Sequence, residues 1–480
     1  MTNRLHARSV AIAFVCVMAC ASRDAEAVTI GSAVPNKPVH IFYIDPVKGS
    51  MNGDGSQSRP WSTLEAVLNA NLINGQDRAS GVVHAGDLIY LMTGNHGNIH
   101  IDPWYSGTKV ANTDFITIQA APSNTPVINS LEFQNASYWV FRGLTIQNPP
   151  NYTGRGYLTS FSGVNNILFD SNVLYSVPNA VAWTPSDWAT SSSSYGIYID
   201  GVTSCTFSNN KISNVENGAY LGGNGILFTG NTIDYFANDG IEFSSSNSVI
   251  SQNIVTNHYG RWNDGLHHDG MQGWTEWNQT STTNVVIDRN MIIASTGKYS
   301  TIPVVPTGVG DDYLQGLTIF DGVWSNVTIT NNVVAAAGVY HGMSFYGMTN
   351  ATIENNTLIS QGGNNQTWIG VFNSATGAPP VNVVVRNNIG NSFGTNATTG
   401  VVFDHNLSFV SIGLPVDANI PIVDPLKVFV KYSPSTASFD FSLRSGSPAI
   451  GTGSSAGAPT VDFTGKTRNT RKIDIGAYAY

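Results

Sequence analysis

The most regular feature of this chain is a short alternation of apolar and polar residues that closes on an asparagine. In one copy, Val327 and Ile329 alternate with Thr328 and Thr330 before Asn332, which is the two-residue period of a strand with one buried face. The asparagines that close the copies are Asn172, Asn210, Asn231, Asn253, Asn290, Asn332, Asn356 and Asn388. The shortest spacings are 21 and 22 residues, which is typical of a solenoid. The pattern therefore predicts stacked coils joined by an asparagine ladder.

A second strand follows each of the first seven of these asparagines and begins at a glycine. The glycines are Gly196, Gly218, Gly240, Gly270, Gly316, Gly342 and Gly370. No helical spacing separates the strands, so the sequence predicts an all-β fold, a single-stranded parallel β-helix, rather than a doubly wound sheet. The connections that lead to Gly196, Gly270 and Gly316 are longer than the others, so we expect three insertions at one edge of one sheet.

The two ends of the chain depart from the repeat and divide it into four segments. Residues 1–27 have a basic start, an apolar run from Val10 to Ala19 and a small-residue cleavage site, which predicts a signal peptide and a secreted, periplasmic or extracellular protein. Cys20 offers a lipid-anchor alternative. We expect an N-terminal cap segment at 28–84, with a short helix from Leu64 to Leu72, then the β-helix at 85–405 and a β-rich C-terminal cap segment at 406–480.

Composition narrows the possible partners. The 480 residues carry a net charge of −9, and 11% of them are charged, which argues against nucleic acid as a ligand. No segment after the leader is long and apolar enough to span a bilayer. After leader removal only Cys205 remains, so the chain has no internal disulfide. We expect a monomer that acts on a polysaccharide and uses no organic cofactor.

Candidate chemistry is concentrated in the second insertion and in the strand that follows it. The insertion supplies Tyr259, Arg261, Trp262, Asp264, His267, His268 and Asp269, and the residues after it are Gln272, Trp274, Glu276 and Trp277. The other two insertions bring Trp183 and Trp188, and Lys298, Asp311, Asp312 and Tyr313. Indole rings beside carboxylates suit sugars, whose apolar faces stack on aromatic rings while their hydroxyls bind polar groups.

Two acidic residues of the preceding coil are expected beside this segment. Asp239 and Glu242 occupy the positions that Asp269 and Gln272 occupy one coil later, and neighbouring strands lie about 4.8 Å apart. Carboxylates at that distance either share a proton or bind a cation. Asp239, Glu242 and Asp269 are therefore a candidate calcium site. His341 occupies the same column two coils farther on.

The two ends of the mature chain and the centre of the second insertion resemble a known family. The segments YIDP (43–46), GDLIYLMTG (86–94), SLRSGSPAIGTGS (442–454) and DIGAY (474–478) resemble secreted bacterial right-handed β-helix proteins of the pectate-lyase-like superfamily. His267-His-Asp-Gly-Met-Gln272 resembles the His-x-Asp-Gly-x-Gln element of some of these proteins. The resemblance implies a right-handed coil. It leaves the activity open, because the superfamily includes lyases, epimerases, hydrolases and phage tail proteins.

Three functions remain open from the sequence. A lyase or C5-epimerase of a uronate-containing glycan would take its base from His268, His267, Lys298 or Arg261 and its acid from Tyr259. Its substrate carboxylate would be neutralised by calcium, or by Arg261 and Gln272. A glycoside hydrolase would use two carboxylates of the same groove. A non-catalytic glycan-binding or adhesive protein would need only the aromatic walls, which are Trp262, Trp274, Trp277, Trp183, Trp188 and Tyr313.

Overall fold

The computed structural model describes residues 38–73, 81–102, 112–192, 194–260, 267–275, 281–304, 313–337, 340–362, 367–410 and 419–480. These residues form the solenoid of parallel strands that the alternation predicted. Its strands lie in three sheets, two of which are joined through shared strands. The leader, with Cys20, lies outside the described residues. In the described part of the chain, no helix is long and apolar enough to cross a membrane.

Each coil contributes one strand to each sheet. Sheet 1 contains Asn98–Ile101, Ser130–Gln134, Tyr157–Ser162, Ile241–Phe243, Asp269–Gly273, Gln315–Ile319, His341–Tyr346, Trp368–Phe372 and Ser392–Gly394. Sheet 2 contains Ile41–Ile44, Leu88–Leu91, Ile116–Ala120, Ser137–Arg142, Asn165–Asp170, Ser248–Ser251, Thr282–Asp288, Trp324–Thr330, Met348–Glu354, Val381–Arg386 and Val401–Asp404. Two long strands, Tyr195–Ser208 and Asn217–Thr229, pass through the bend between sheets 1 and 2 and belong to both.

Sheet 3 follows the asparagine turn. It contains Gly94–Asn95, Pro126–Ile128, Thr145–Gln147, Val173–Tyr175, Lys211–Val215, Thr232–Phe236, Ile254–His258, Met291–Ile293, Val333–Ala336, Thr357–Ser360, Ile389–Gly390 and Leu407–Ser408. The chain then returns to sheet 1 of the next coil. An insertion between sheets 3 and 1 therefore begins at the edge where these two sheets meet.

A helix covers the N-terminal end of the solenoid, and the C-terminal segment covers the outer face of sheet 3 in the last coils. The helix Leu64–Asn69 is capped by Thr63 and buries Leu64, Val67 and Leu68 against the first coils. At the other end, an antiparallel pair, Phe429–Ser433 and Ser438–Leu443, and the segment after it pack on sheet 3. The remaining helices are short: Pro185–Ser191, which lies in the first insertion, and the 3₁₀ turns Pro425–Lys427 and Pro434–Thr436.

The core is a continuous stack of inward-facing apolar side chains. Val327 and Ile329 are at most 1% exposed, as the alternation predicted, and each such side chain contributes roughly 1.5–3 kcal/mol by burial. Phenylalanines stack along the axis in the N-terminal half, where the Phe161 and Phe207 rings are 5.0 Å apart. Stability is thus distributed along the coils instead of residing in one centre.

The predicted asparagine ladder is present and is longer than expected. The amide nitrogen of each asparagine donates to the amide oxygen of the next, as from Asn253 to Asn290 at 3.0 Å. The ladder continues through Asn406 to Asn419, which the repeat analysis did not include. From Asn172 to Asn406, the residue before each ladder asparagine turns the chain with a positive φ, for example Asn331 at 55°. Buried amides and a left-handed corner therefore define the turns between sheets 2 and 3 from Asn172 to Asn406.

The glycine column fixes the register of sheet 1. A Cβ at Gly240 would lie 2.4 Å from the carbonyl oxygen of Gly270 and 2.4 Å from Val255 Cγ1, so no side chain fits at this corner. From Gly196 to Gly342, the residue before each glycine and the second residue after it then point away from the core. Gly370 was wrongly assigned to this column, because it pairs with Ser344 and the residue before it, Ile369, is buried in the core. This is why Asp239 and Glu242 both reach the outer face of sheet 1.

Candidate functional site

The outer face of sheet 1 brings together the acidic residues that the register predicted. The backbone N–H of Asp269 donates to Asp239 Oδ1 at 2.7 Å, and Glu242 pairs in register with Gln272. Glu242 is 9% exposed, whereas Asp269 is fully buried. These three carboxyl groups, which we call the carboxyl cluster, lie on two successive coils.

The surroundings of Asp239 and Glu242 raise the pKa of both carboxyl groups. Burial and the neighbouring carboxylates Glu242 and Asp269 raise the pKa of Asp239 well above its usual range. Burial also raises the pKa of Glu242, although hydrogen bonds from Asp239 and Tyr195 oppose the shift. The Tyr195 hydroxyl donates to Glu242 Oε2 at 2.8 Å. The pair is therefore a source of one proton in a site shielded from water.

Asp269 serves instead as the support of an imidazole. Its Oδ1 accepts a hydrogen bond from Thr318 Oγ1 at 2.7 Å, and its Oδ2 lies 2.9 Å from His267 Nδ1. The hydrogen bond with Asp269 raises the pKa of His267, against the effect of partial burial. Half of the His267 side chain, 51%, is exposed. A solvent-facing imidazole is thus held in one orientation by a buried carboxylate.

The adjacent histidine points the other way, which corrects one expectation. His268 is 0% exposed, and its ring packs 4.9 Å from that of His258, which donates from Nε2 to the Ala237 carbonyl at 3.1 Å. Burial and the neighbouring His268 lower the pKa of His258 well below its usual range. We therefore assign the candidate base to His267 and not to His268.

Several residues that we expected to line the groove lie away from the carboxyl cluster, so that part of the prediction was wrong. Trp188 is fully buried, stacks on Tyr259 with centroids 5.1 Å apart, and belongs to a satellite cluster with Trp183 and Tyr235. These residues pack the first and third insertions against the solenoid. In this conformation the buried face of Trp188 offers no surface to a sugar, and Tyr259 is not a member of the carboxyl cluster.

Lys298 also belongs to a different surface. Its Nζ lies 2.5 Å from Asp234 Oδ2, and Asp234 lies in a strand of sheet 3. Lys298 therefore does not join the carboxyl cluster as a base. Tyr313 is partly buried just before the strand Gln315–Ile319 of sheet 1. The remaining predicted residues lie outside the described residues: Arg261, Trp262, Asp264, Glu276, Trp277, Asp311 and Asp312.

Aromatic rings that the sequence analysis did not select flank the cluster on both sides. On the N-terminal side, Tyr198 stacks on Tyr220 with centroids 5.1 Å apart, and Tyr220 contacts the predicted Trp274 at 5.7 Å. On the C-terminal side, Phe320 lies 5.9 Å from His267 and 5.1 Å from His341. Continuing the outward column from Trp274 in steps of one coil would have identified Phe320, Tyr346 and Phe372.

His341 occupies the column position that the sequence predicted. Gln315 separates it from Asp269 in the register of sheet 1, and its Nδ1 lies 3.0 Å from Ser344 Oγ. Burial lowers its pKa, while attraction to Asp269 opposes that shift. A second, less basic imidazole therefore lies at the C-terminal margin of the site.

The expected calcium site does not fit this donor arrangement. Both oxygens of Asp269 are engaged by protein groups, whereas calcium takes six to eight oxygen ligands. Among the described residues, no group of three or more acidic, histidine or cysteine side chains is arranged to hold a metal ion.

Comparison with known proteins supports the architecture. The sequence model of a family described as "Right handed beta helix region" matches residues 129–260 and 195–389. No curated protein matches the sequence. Among solved structures, XylC in complex with xylose has a TM-score of 0.52 at 10% identity, covering 92% of this chain and 98% of its own.

Two further solved structures are similar at lower scores. The pectate lyase Pel9A has a TM-score of 0.48 at 15% identity, with 92% of this chain and 96% of that chain covered. The A-module of the Azotobacter vinelandii mannuronan C-5 epimerase AlgE6 has a TM-score of 0.44 at 14% identity, with 70% and 89% covered. At these identities the likenesses concern the fold alone.

Proposed function

This chain belongs to the right-handed β-helix family, and on that premise we propose that it is a carbohydrate-active enzyme acting on a uronate-containing polysaccharide outside the cytoplasm. The observation that carries the proposal is the half-exposed His267, oriented by the buried Asp269 beside a carboxyl pair of raised pKa. The rows of aromatic rings on both sides of it offer stacking surfaces for sugar rings.

The arrangement supports β-elimination. Neutral His267 removes the C5 proton of the uronate, and the electron pair forms the C4–C5 double bond as the bond from C4 to the leaving oxygen breaks. The resulting imidazolium then transfers that proton to the leaving oxygen. Gln272 and the protonated member of the Glu242–Asp239 pair supply hydrogen bonds to the substrate carboxylate, whose charge must be offset for C5 to be acidic. Reprotonation of C5 from the opposite face would give epimerisation instead.

A second candidate, a glycoside hydrolase, is favoured by the same carboxyl pair. A carboxylic acid that stays protonated at neutral pH is the group a glycosidase uses to protonate its leaving oxygen. The Tyr195 hydrogen bond to Glu242 would fix the position of such an acid. The two candidates differ in their products, so one assay separates them.

The test is a panel of polyuronates, sulfated polysaccharides and neutral polysaccharides incubated with the protein. New ultraviolet absorbance from an unsaturated uronate identifies a lyase, reducing ends without it identify a hydrolase, and a change in the uronate ratio without cleavage identifies an epimerase. We expect the absorbance of an unsaturated uronate to appear with a polyuronate, and we expect EDTA to leave the rate of its appearance unchanged. Binding without any turnover would contradict the enzyme proposal and favour an adhesive protein.

A matched pair of variants tests the residue assignment. We expect His267→Ala to lower kcat by about 10²–10⁴-fold, the range for loss of a general base. His100, whose Nδ1 lies 3.0 Å from Glu132 on the same face of sheet 1, is the control, and His100→Ala should stay within about twofold of the parent. Equal rates for His267→Ala and the parent would remove His267 from the mechanism.

A further inference from the structure

A guanidinium held by a buried carboxylate lies at the N-terminal margin of the same face. Arg155 Nε donates to Glu216 Oε2 at 3.0 Å, and Nη2 donates to Glu216 Oε1. Half of the Arg155 side chain is exposed, whereas the Glu216 side chain is 2% exposed. The buried partner therefore fixes the direction of the guanidinium without withdrawing it from solvent.

Glu216 connects this arginine to the turn that carries the carboxyl cluster. Glu216 Oε1 also accepts a hydrogen bond from Asn238 Nδ2 at 3.1 Å, and Asn238 immediately precedes Asp239. The next residue, Asn217, accepts the backbone N–H of Asp239 at 3.1 Å. Glu216 and Asn238 lie on successive coils, which are about 4.8 Å apart. Arg155 thus reaches across to the coil directly before the one that carries Asp239 and Glu242.

The guanidinium retains donors for a ligand. Glu216 takes the edge formed by Nε and Nη2, and no described residue accepts a hydrogen bond from Nη1. Planar N–H pairs of arginine match the two oxygens of a carboxylate or a sulfate. The negative partner is buried on one side, so the exposed side of the pair presents positive charge.

We propose that Arg155 binds an acidic substituent, a carboxylate or a sulfate ester, on a sugar residue next to the one that reacts at His267. The proposal rests on the proposed function, because it takes the glycan to lie across the outer face of sheet 1. It makes Arg155 a specificity residue that selects acidic chains and takes no part in the bond-breaking step.

Binding can be measured apart from turnover by titration calorimetry on the His267→Ala protein. The probes are oligogalacturonate, oligomannuronate, a sulfated galactan oligomer and a neutral xylan oligomer. Adding Arg155→Gln is expected to weaken binding of the preferred acidic probe by about tenfold or more, as for loss of a charged hydrogen bond, and to leave neutral-probe binding unchanged. Arg155→Lys should keep part of the affinity, and the difference should shrink at high salt.

Two controls keep the outcome interpretable. Arg155→Gln leaves Glu216 without its partner, so the double variant Arg155→Gln/Glu216→Gln restores a neutral amide pair and should show the same selective loss. Arg142 lies in sheet 2, where its Nε donates to Asp170 at 2.9 Å, and Arg142→Gln should leave acidic-probe binding unchanged.

The result also separates this inference from the proposed function. Unchanged acidic-probe affinity in the folded double variant would overturn the Arg155 assignment while leaving the His267 chemistry intact, and so would failure of the His267→Ala protein to bind any acidic probe. A selective loss in a protein that proves to be a hydrolase would instead support Arg155 and overturn the elimination step. If the parent turns over acidic chains, Arg155→Gln should raise KM and leave kcat nearly unchanged.

Discussion

The protonation of His267 is set by Asp269, since the hydrogen bond to that buried carboxylate is the main cause of its raised pKa. A base must be neutral to accept a proton, so the rate of elimination should rise with pH through this raised pKa. The alkaline side of the ordinary histidine range, above the reference value of 6.5, is therefore where activity should be greatest.

Replacing Asp269 with asparagine should shift the pH dependence of the rate. In Asp269→Asn the imidazolium loses its charged partner, so the pKa of His267 falls and the rising limb of kcat/KM moves to lower pH. The maximal rate should fall as well, because an amide holds the imidazole less firmly in its donor tautomer. A pH–rate profile checks this, and an unshifted limb would show that His267 is not the titrating base.

The carboxyl pair makes a separate prediction about stability. Its folded-state pKa values lie above the reference values of 3.8 and 4.5, so the folded protein keeps a proton that the unfolded chain releases. The contribution of the pair to stability is therefore greatest at low pH and is lost as pH rises through the raised pKa values. Glu242→Gln removes one of the two charges and still accepts the Tyr195 hydroxyl.

The Tm of Glu242→Gln relative to the parent should thus increase as pH is raised from about 4 to about 8. Calorimetric scans at several pH values measure the difference. A relative Tm that is constant or falls over this range would mean that Glu242 and Asp239 ionise normally in the folded protein.

Sequence reasoning at the residue scale succeeded for the acids and failed for the imidazoles. Asp239 and Asp269 precede glycines of the same column, so counting coils placed them together. His267 and His268 lie in a turn where no strand alternation applies, and only coordinates reveal which ring is buried. Tyr195 was missed because its role depends on a contact across two coils, to Glu242.

At the scale of single elements, the asparagine turn is the part that the sequence specifies most completely. Asn290 is fully buried, accepts from the backbone and side-chain amides of Asn253, and donates to Ile250 O and Asn332 Oδ1. Each of these partners is shielded from water, so a water molecule cannot replace a hydrogen bond that is lost.

Asn290→Ala should therefore lower the free energy of unfolding by about 2–5 kcal/mol, since several buried polar groups lose their partners. Asn326, which belongs to a second, exposed row of asparagines between sheets 1 and 2, is the control. Asn326→Gly keeps its positive φ and should cost no more than about 1 kcal/mol. Denaturant unfolding compares the two, and equal losses would contradict a special role for the buried ladder.

At the scale of the whole molecule, the C-terminal segment closes the outer face of sheet 3. Arg468, which is 3% exposed, donates to Asn331 Oδ1 at 2.7 Å and to the carbonyls of Gly476 and Ala477. Burial lowers the pKa of Arg468 to about 10, so it stays charged at neutral pH. One side chain thus ties the end of the chain to the left-handed corners of the ladder turn.

Arg468→Met should release this segment, because its acceptors stay buried without a donor. Limited proteolysis should then remove the C-terminal residues several-fold faster than in the parent, before the coils unfold. Arg471 is exposed on the same segment, and Arg471→Met should leave the rate unchanged. Equal cleavage of parent and Arg468→Met would mean that the apolar contacts hold the segment alone.

The overall architecture could be predicted because the same sequence pattern recurs in successive coils of a solenoid. One coil of sequence, with its glycine, its alternation and its asparagine, specifies all the others. The satellite cluster of Trp188, Tyr259 and Tyr235 could not be predicted in this way, since insertions occur once and their packing partners are set by tertiary contacts. The aromatic residues of the insertions were therefore predicted to line a groove, whereas they pack the insertions against the solenoid.

The buried ladder also has a direction. From Asn172 to Asn406 each amide nitrogen donates one hydrogen bond to the amide oxygen of the next asparagine toward the C-terminus, so these side-chain bonds all run in one direction, and each bond polarises its neighbours. The effect of replacing a ladder asparagine should consequently depend on its position in the row. Replacing an asparagine in the middle of the ladder divides one long row of hydrogen bonds into two shorter rows. Replacing Asn419 removes only the last hydrogen bond of the row.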